Sequence, residues 1–368
     1  MKITVFYEPE KVFNERLNDS TRVLYFGDYI RGSDNERKDT QETVYWEKSY
    51  DVLVISSSEL SGVNNHVMEN VGRFINRITE VFGCGHVYIN NPTKTTMKAL
   101  ENTFELELKD PYLFQNVSEE KVIRIKKEFD DFIIGQFSAK KVIIRNLLKL
   151  LIRTNEKPLV LMLYGNPGIG KTETAKFLAK QLDEGEIVRE QMSMVHGEAS
   201  LRYFKSTHHS EDSFSKVLIN RTSNIILLDE FARSPEYIQD SFFQMFDEGI
   251  YEDNNYIVDV RKSIIICTSN FITEEEMKKN IDNALLSRFD ALIKYEDFNN
   301  KEKELIIKRS IDQIKRTILK KYASMVDWKQ LQGFLTNHVD GMTNMRHIKG
   351  IIEEAIAEEV LEKLQELR

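Results

Sequence analysis

The chain has 368 residues, longer than one average domain, so two or three folded units are expected, and 41% hydrophobic residues supply a core for each. Its 51 basic and 59 acidic side chains leave a formal charge of -8, which excludes a general attraction to nucleic-acid backbones and leaves open only a local basic patch. No apolar run approaches membrane-spanning length, and Cys84 and Cys267 have no metal-ligand spacing and read as buried, reduced thiols, so a cytoplasmic protein without a membrane anchor is expected.

Short apolar segments predict strands at Ile3–Tyr7, Val23–Phe26, Val44–Trp46, Asp51–Ser56, His86–Asn90 and Phe104–Leu108. Between them Val63–Phe82 carries apolar residues at helical spacing and stops at Gly83. Strands alternating with a helix predict a small N-terminal α/β domain over residues 1–117. Ser56, Ser57 and Ser58 read as a cap on the next element, and His66 and His86 as structural. Asp110-Pro111 and then Val117-Ser118-Glu119-Glu120 mark a boundary, followed by helices over Val122–Phe132 and Ser138–Arg153.

From there helix and strand alternate through Tyr295, which predicts a parallel sheet in a second unit, residues 118–298. Its central feature is Gly165 to Thr172, G-N-P-G-I-G-K-T, set between the apolar run Leu159–Tyr164 and the helix-favouring Glu173–Gln181. Gly165, Gly168 and Gly170 allow the backbone to curl, with Asn166, Pro167 and Ile169 between them, so that N–H groups point inward at the positive end of a helix. A triphosphate fits such a cradle; Lys171 reaches its outer phosphates and the Thr172 hydroxyl suits Mg²⁺. Glu173 follows on the helix and is grouped with these nucleotide-binding residues.

The strand Asn224–Glu230 ends in Asp229 and Glu230, where open α/β sheets bind ligands: Asp229 is placed for the Mg²⁺ shell and Glu230 to polarise water. Ser263–Thr268 delivers Asn270 from a strand expected between the other two. Arg288 stands at a helix end, where a guanidinium suits phosphate charge. Residues 299–368 read as helices over about Lys301–Tyr322, Trp328–Asn337 and Thr343–Leu367, with Thr343 or Asn344 as the N-cap of the last. Arg346 in that first turn opposes the helix dipole and calls for a specific partner.

In this order and spacing the pieces resemble the AAA+ ATPases, and among them the Clp-type unfoldases, especially their second ATPase ring, from about Ile133 to the C-terminus. Ile133-Ile134-Gly135-Gln136 is similar to that family's adenine-contacting I-G-Q stretch, and D-E-F-A-R-S-P-E, F-F-Q-M-F-D-E-G, V-D-V-R and I-I-I-C-T-S-N follow its pattern between Asp229 and Asn270. The resemblance implies an α/β P-loop AAA+ core, a parallel sheet between helices, with a C-terminal helical lid behind the small N-terminal α/β domain. It implies ATP and Mg²⁺ as cofactors, adenine contact at Ile134, Asn270 as a first sensor, Arg346 as a second, and Arg288 as a finger into a neighbouring subunit's site. A homo-oligomeric ring follows, six subunits being the family's usual number.

Two features depart from the family. Met192–Asn224 holds no G-Y-V-G type pore loop, Tyr203-Phe204 being the nearest aromatic pair, and no I-G-F type protease-docking tripeptide occurs. Three functional readings follow: an ATPase remodelling a protein substrate, a nucleotide-controlled switch acting on a separate effector, and, weakest given the acidity, a DNA-dependent loader.

Overall fold

The computed structural model describes all residues except 18–21, 38–45, 115–116, 183–185 and 367–368. Two five-stranded parallel sheets dominate it. The first contains β1 (Lys2–Phe6), β2 (Val23–Tyr25), β3 (Val52–Ile55), β4 (His86–Asn90) and β5 (Leu106–Leu108), in the order β2-β3-β4-β1-β5. Each is where the apolar pattern predicts it within two residues; the strand expected at Val44–Trp46 falls largely outside the described residues. Ile3, Val5, Leu53, Ile55, Val87 and Ile89 pack on one face against the helix Val71–Phe82, whose Val71, Ile75, Ile78 and Phe82 are buried at one-turn spacing.

The expected helix over Val63–Phe82 is split into Asn65–Glu69 and Val71–Phe82. Asn70 causes the break: its amide donates to His66 O at 2.9 Å, so its side chain competes for helix backbone acceptors. Gly83 then closes the second piece with φ of 71°, a left-handed conformation that glycine adopts without a Cβ penalty.

The second sheet contains β6 (Leu159–Tyr164), β7 (Val188–Gln191), β8 (Ile225–Asp229), β11 (Ile264–Ser269) and β12 (Ala291–Lys294), in the order β12-β6-β11-β8-β7. Between β8 and β11 lies an antiparallel hairpin, β9 (Ile250–Glu252) and β10 (Ile257–Asp259). β6, β8 and β11 are buried along their whole length, as unbroken apolar strands in a parallel sheet covered on both faces must be. Alternate residues feed two cores. Leu161, Leu163, Leu227 and Ile266 face the helices Glu119–Phe132, Phe137–Ile152 and Lys171–Leu182, while Met162, Ile226, Leu228 and Cys267 face Phe204, Phe214 and Phe242.

The C-terminal helices Asn300–Thr317, Trp328–Asn337 and Met345–Glu366 join the first of these cores through Ile307, Leu335 and Ile352. The long helix expected over Lys301–Tyr322 ends at Thr317, with a separate turn at Lys320–Ala323. Both cysteines are free and buried, as their apolar surroundings predict. Among the described residues no helix is long and apolar enough to cross a membrane.

Candidate functional site

β6, β8 and β11 run side by side with β11 in the middle, so their carboxyl ends bring three loops to one edge. The loop after β6 is the glycine-rich turn. Gly165 has φ of 135°, and a Cβ there would lie 2.5 Å from Tyr295 O, so the turn is closed to any other residue without backbone movement. Gly168 and Gly170 also have positive φ, at 76° and 108°; a Cβ on Gly168 would meet the Asn344 side chain at 2.9 Å. The C-terminal helices therefore sit directly on this turn, and Met345 N donates to Gly168 O at 3.1 Å.

Lys171 is the first residue of the helix leaving the turn and is buried. Its ammonium donates to Gly165 O at 2.6 Å, Asn166 O at 2.7 Å and Asn270 Oδ1 at 3.2 Å. Burial pushes its pKa down to about 8, against the pull of Asp229, with Arg346 adding to the depression and Glu230 opposing it. A buried ammonium satisfied by neutral carbonyls fits a group that meets an anion here. Thr172 Oγ1 donates weakly to Asp229, at 3.3 and 3.4 Å. Asp229 is tied further by Thr268 Oγ1 at 2.6 Å and by Arg189 Nη2, also at 2.6 Å.

Glu230 leaves β8 with φ of 57°, a left-handed conformation uncommon outside glycine and asparagine. Its amide donates to Thr268 Oγ1 at 2.8 Å, and its carboxylate accepts from Asn270 Nδ2 and Gln191 Nε2, both at 3.2 Å. The strained backbone turns this acid away from the strand and toward the loop edge, beside Asn270.

These residues line a cavity of about 600 Å³ that also takes in Ile134, Glu173, Arg309, Arg346 and Lys349. Asn344 caps the last helix by accepting from His347 N at 3.0 Å, as its sequence context predicts, which sets Arg346 at the cavity wall. Of the residues singled out in the sequence, Pro167, Gly168, Ile169, Gly170, Lys171, Thr172, Asp229, Glu230 and Asn270 are thus brought together around one space. Gly165 and Asn166 enter through their carbonyls; the Asn166 amide is turned aside to the Asp297 carboxylate, at 2.8 and 2.9 Å.

Arg288 is not among the cavity residues. It follows the short helix Asn283–Leu286, pairs with Asp247 at 3.3 Å and lies over the Phe243 ring at 4.6 Å. Gln136, two residues beyond Ile134, bonds the Glu296 backbone in both directions, at 2.9 and 3.0 Å. Arg189, Gln191 and Thr268 were missed by sequence reasoning. Each is an ordinary polar residue on a strand, and only the pairing of β7 with β8, and of β8 with β11, sets it against the acids.

Residues 156–321 match the family model described as AAA domain (Cdc48 subfamily). The chaperone protein ClpB of Mycoplasmoides gallisepticum is 26% identical over 272 residues, covering 66% of this chain and 38% of that protein. The AAA+ ATPase ClpV1 of Pseudomonas aeruginosa is 27% identical over 187 residues, covering 48% of this chain and 21% of that one. The chain thus spans well under half the length of these curated relatives. A cryo-EM structure of Hsp104 in a closed state, with ATPyS and FITC casein, is similar in fold with a TM-score of 0.58 at 12% identity, covering 99% of this chain and 88% of that one.

Proposed function

The chain belongs to the Clp-type AAA+ ATPases, and on that premise we propose that it binds ATP in the cleft between the second sheet and the C-terminal helices and couples its hydrolysis to remodelling of a protein. The observation that carries this reading is the convergence of Lys171, Thr172, Asp229, Glu230 and Asn270 on one cavity roofed by Arg346.

Lys171 holds the outer phosphates, exchanging its three carbonyl and amide acceptors for phosphate oxygens. The hydroxyl of Thr172 and the carboxylate of Asp229, within 3.3 Å of each other at the cavity wall, would supply the protein's oxygens around Mg²⁺. Bound there, the ion supplies charge neutralisation for the outer phosphates. Glu230 accepts a proton from the attacking water, and Asn270, in contact with both Glu230 and Lys171, orients that water against the terminal phosphate. Ile134 packs against the base and Arg346 contacts the phosphates from the lid.

Arg288 completes the site of a neighbouring copy in a head-to-tail ring. Its position away from its own cavity, on a salt bridge to Asp247, suits that role. Mixing Arg288→Ala with Glu230→Gln subunits should restore part of the turnover that each lacks alone, because a mixed interface contains one intact site. Mixtures as inactive as their components would remove the shared site.

A nucleotide-controlled switch acting on a separate effector is the second reading, and one observation favours it. The segment after β7, where the family carries its pore loop, is bound to the N-terminal residues, and Tyr203 is engaged with Glu190 at 2.6 Å. ATP-dependent unfolding of a tagged globular protein that disappears in Tyr203→Ala supports threading. Retention of a partner in ATP without any unfolding supports the switch.

A further inference from the structure

The two sheets share one arrangement. Numbering the strands of each in chain order from first to fifth, both run fifth, first, fourth, third, second across the sheet, with all neighbours parallel. Their registers agree at the loop edge. Phe6 stands opposite Asn90 and Tyr164 opposite Ser269, so Asn91 occupies the place of Asn270. Val54 stands opposite Tyr88 and Leu228 opposite Cys267, which puts Ile55 and Ser56 in the places of Asp229 and Glu230.

We infer that residues 2–108 are a second version of the ATPase-core topology that has lost nucleotide binding, and that its loop edge now grips the core's own residues 206–221 and 252–255. Four differences remove the nucleotide. Only residues 7–9 connect β1 to the next helix, against residues 165–170 after β6, so the chain is too short to curl around a phosphate. Glu10 and Lys11 open the next helix where Lys171 and Thr172 open theirs, so an acid stands in the place of the ammonium. The pair of acids is replaced by Ile55 and Ser56, and Ser56 caps a helix by accepting from Glu59 N at 3.3 Å. The buried carboxylate of Glu8 follows the first strand, paired with Arg16 at 2.5 and 2.8 Å, while Asn90 and Asn91 both donate to Glu8 O. The Glu8–Arg16 ion pair thus stands just past the first strand, where the other sheet has its glycine turn.

The same edge makes polar contacts with polypeptide instead. Glu10 N donates to Asn220 Oδ1 at 3.1 Å, the His209 ring donates to Val63 O at 2.8 Å, and Lys216 Nζ donates to Ser61 Oγ at 2.8 Å. Lys94 N donates to Asn255 O at 2.8 Å, and its ammonium reaches Glu252 at 2.9 Å. Glu10, Ser61 and Lys94 each lie on the helix that follows a strand, and Val63 lies just past the helix that carries Ser61. On the core side the contacts lead back toward the nucleotide: Asn255 bonds Ser206, Asn254 N donates to Lys205 O, Tyr203 bonds Glu190, and the neighbouring Gln191 bonds Glu230. The edge that holds nucleotide in one sheet holds, in the other, the segment through which the nucleotide site is felt.

The inference rests on the ATP reading of the core as its point of comparison, and the two fail differently. Calorimetric titration of the Glu230→Gln protein with Mg²⁺-ATP should give one nucleotide per chain, and Lys171→Ala should leave none. A second site, or binding that survives Lys171→Ala, overturns the inference; no binding in the Glu230→Gln protein defeats the reading of the core instead. The grip is tested by hydrogen exchange on the full chain. His209→Ala combined with Lys94→Ala should speed exchange about tenfold in residues 57–63 and 206–221, the effect of losing one or two hydrogen bonds, while one ATP still binds. Unchanged exchange in both segments overturns the grip.

Discussion

The two sheets differ less in architecture than in what their loop edges hold. Strand order and register are alike, so the positions just past the strands are alike, and the ligand is decided by a few residues placed there. In the second sheet a long glycine-rich turn, a buried ammonium and a pair of acids surround an open cavity. In the first a short turn and an internal Glu8–Arg16 pair fill the equivalent space with the protein's own charges. A parallel sheet provides a place for chemistry; the first connection and the last residue of two strands provide the chemistry.

The comparison breaks most readily at Lys171. Lys171→Ala should abolish ATP binding measured by calorimetry, and residual affinity would mean that the two edges are not as different as their side chains indicate. Glu230→Gln sharpens the contrast with Ser56: phosphate release should fall about 10²–10⁴-fold while ATP is still retained. Gly165→Ala should lower stability by roughly 3 kcal/mol in denaturant titration, because its Cβ meets the backbone of Tyr295 and its φ is glycine-specific.

A pH dependence of nucleotide affinity belongs to the second sheet. With the free Lys171 ammonium at about 8 and its partner phosphate favouring the charged form, binding raises that pKa. Below pH 8 the lysine is protonated with or without nucleotide and affinity is flat; above it affinity falls by up to about tenfold per pH unit, until the pKa of the complex is reached. Affinity constant from pH 7 to 10 would contradict the role of burial. The smallest effect is expected in the first sheet's domain: Gly83→Ala, with φ of 71° but nothing near its Cβ, should cost only about 1 kcal/mol.

Every strand of the first sheet was legible in position; in the second sheet the three strands that carry the site were legible, while β7 and β12 were not singled out. Leu159–Tyr164, Asn224–Glu230 and Ser263–Thr268 are unbroken apolar runs bounded by turn residues, and even the placement of the last between the other two is as expected. Asn344 as the final cap was equally plain, since its side chain acts within one turn. What escaped is non-local. Arg189 reaches Asp229 only because β7 pairs with β8, and nothing in V-R-E-Q marks it. The helix Phe26–Arg37 escaped because Gly27, Gly32 and Asp34-Asn35 lower its propensity; its early turns are held by tertiary contacts, including Tyr29 against Phe82. The matching order of the first sheet is carried by no local signal, because strand order is a property of crossovers rather than of any one segment.

Gln136 locks the backbone of Glu296, and Asn166 holds the carboxylate of Asp297. The tether between the sheet and the C-terminal helices is thereby reduced to Phe298 and Asn299, where a capping box starts the next helix. That helix has 18 residues and so is about 27 Å long. A tilt of about ten degrees at the tether would sweep its far end by about 5 Å, so a short joint anchored to the glycine turn works as the fulcrum of a long lever.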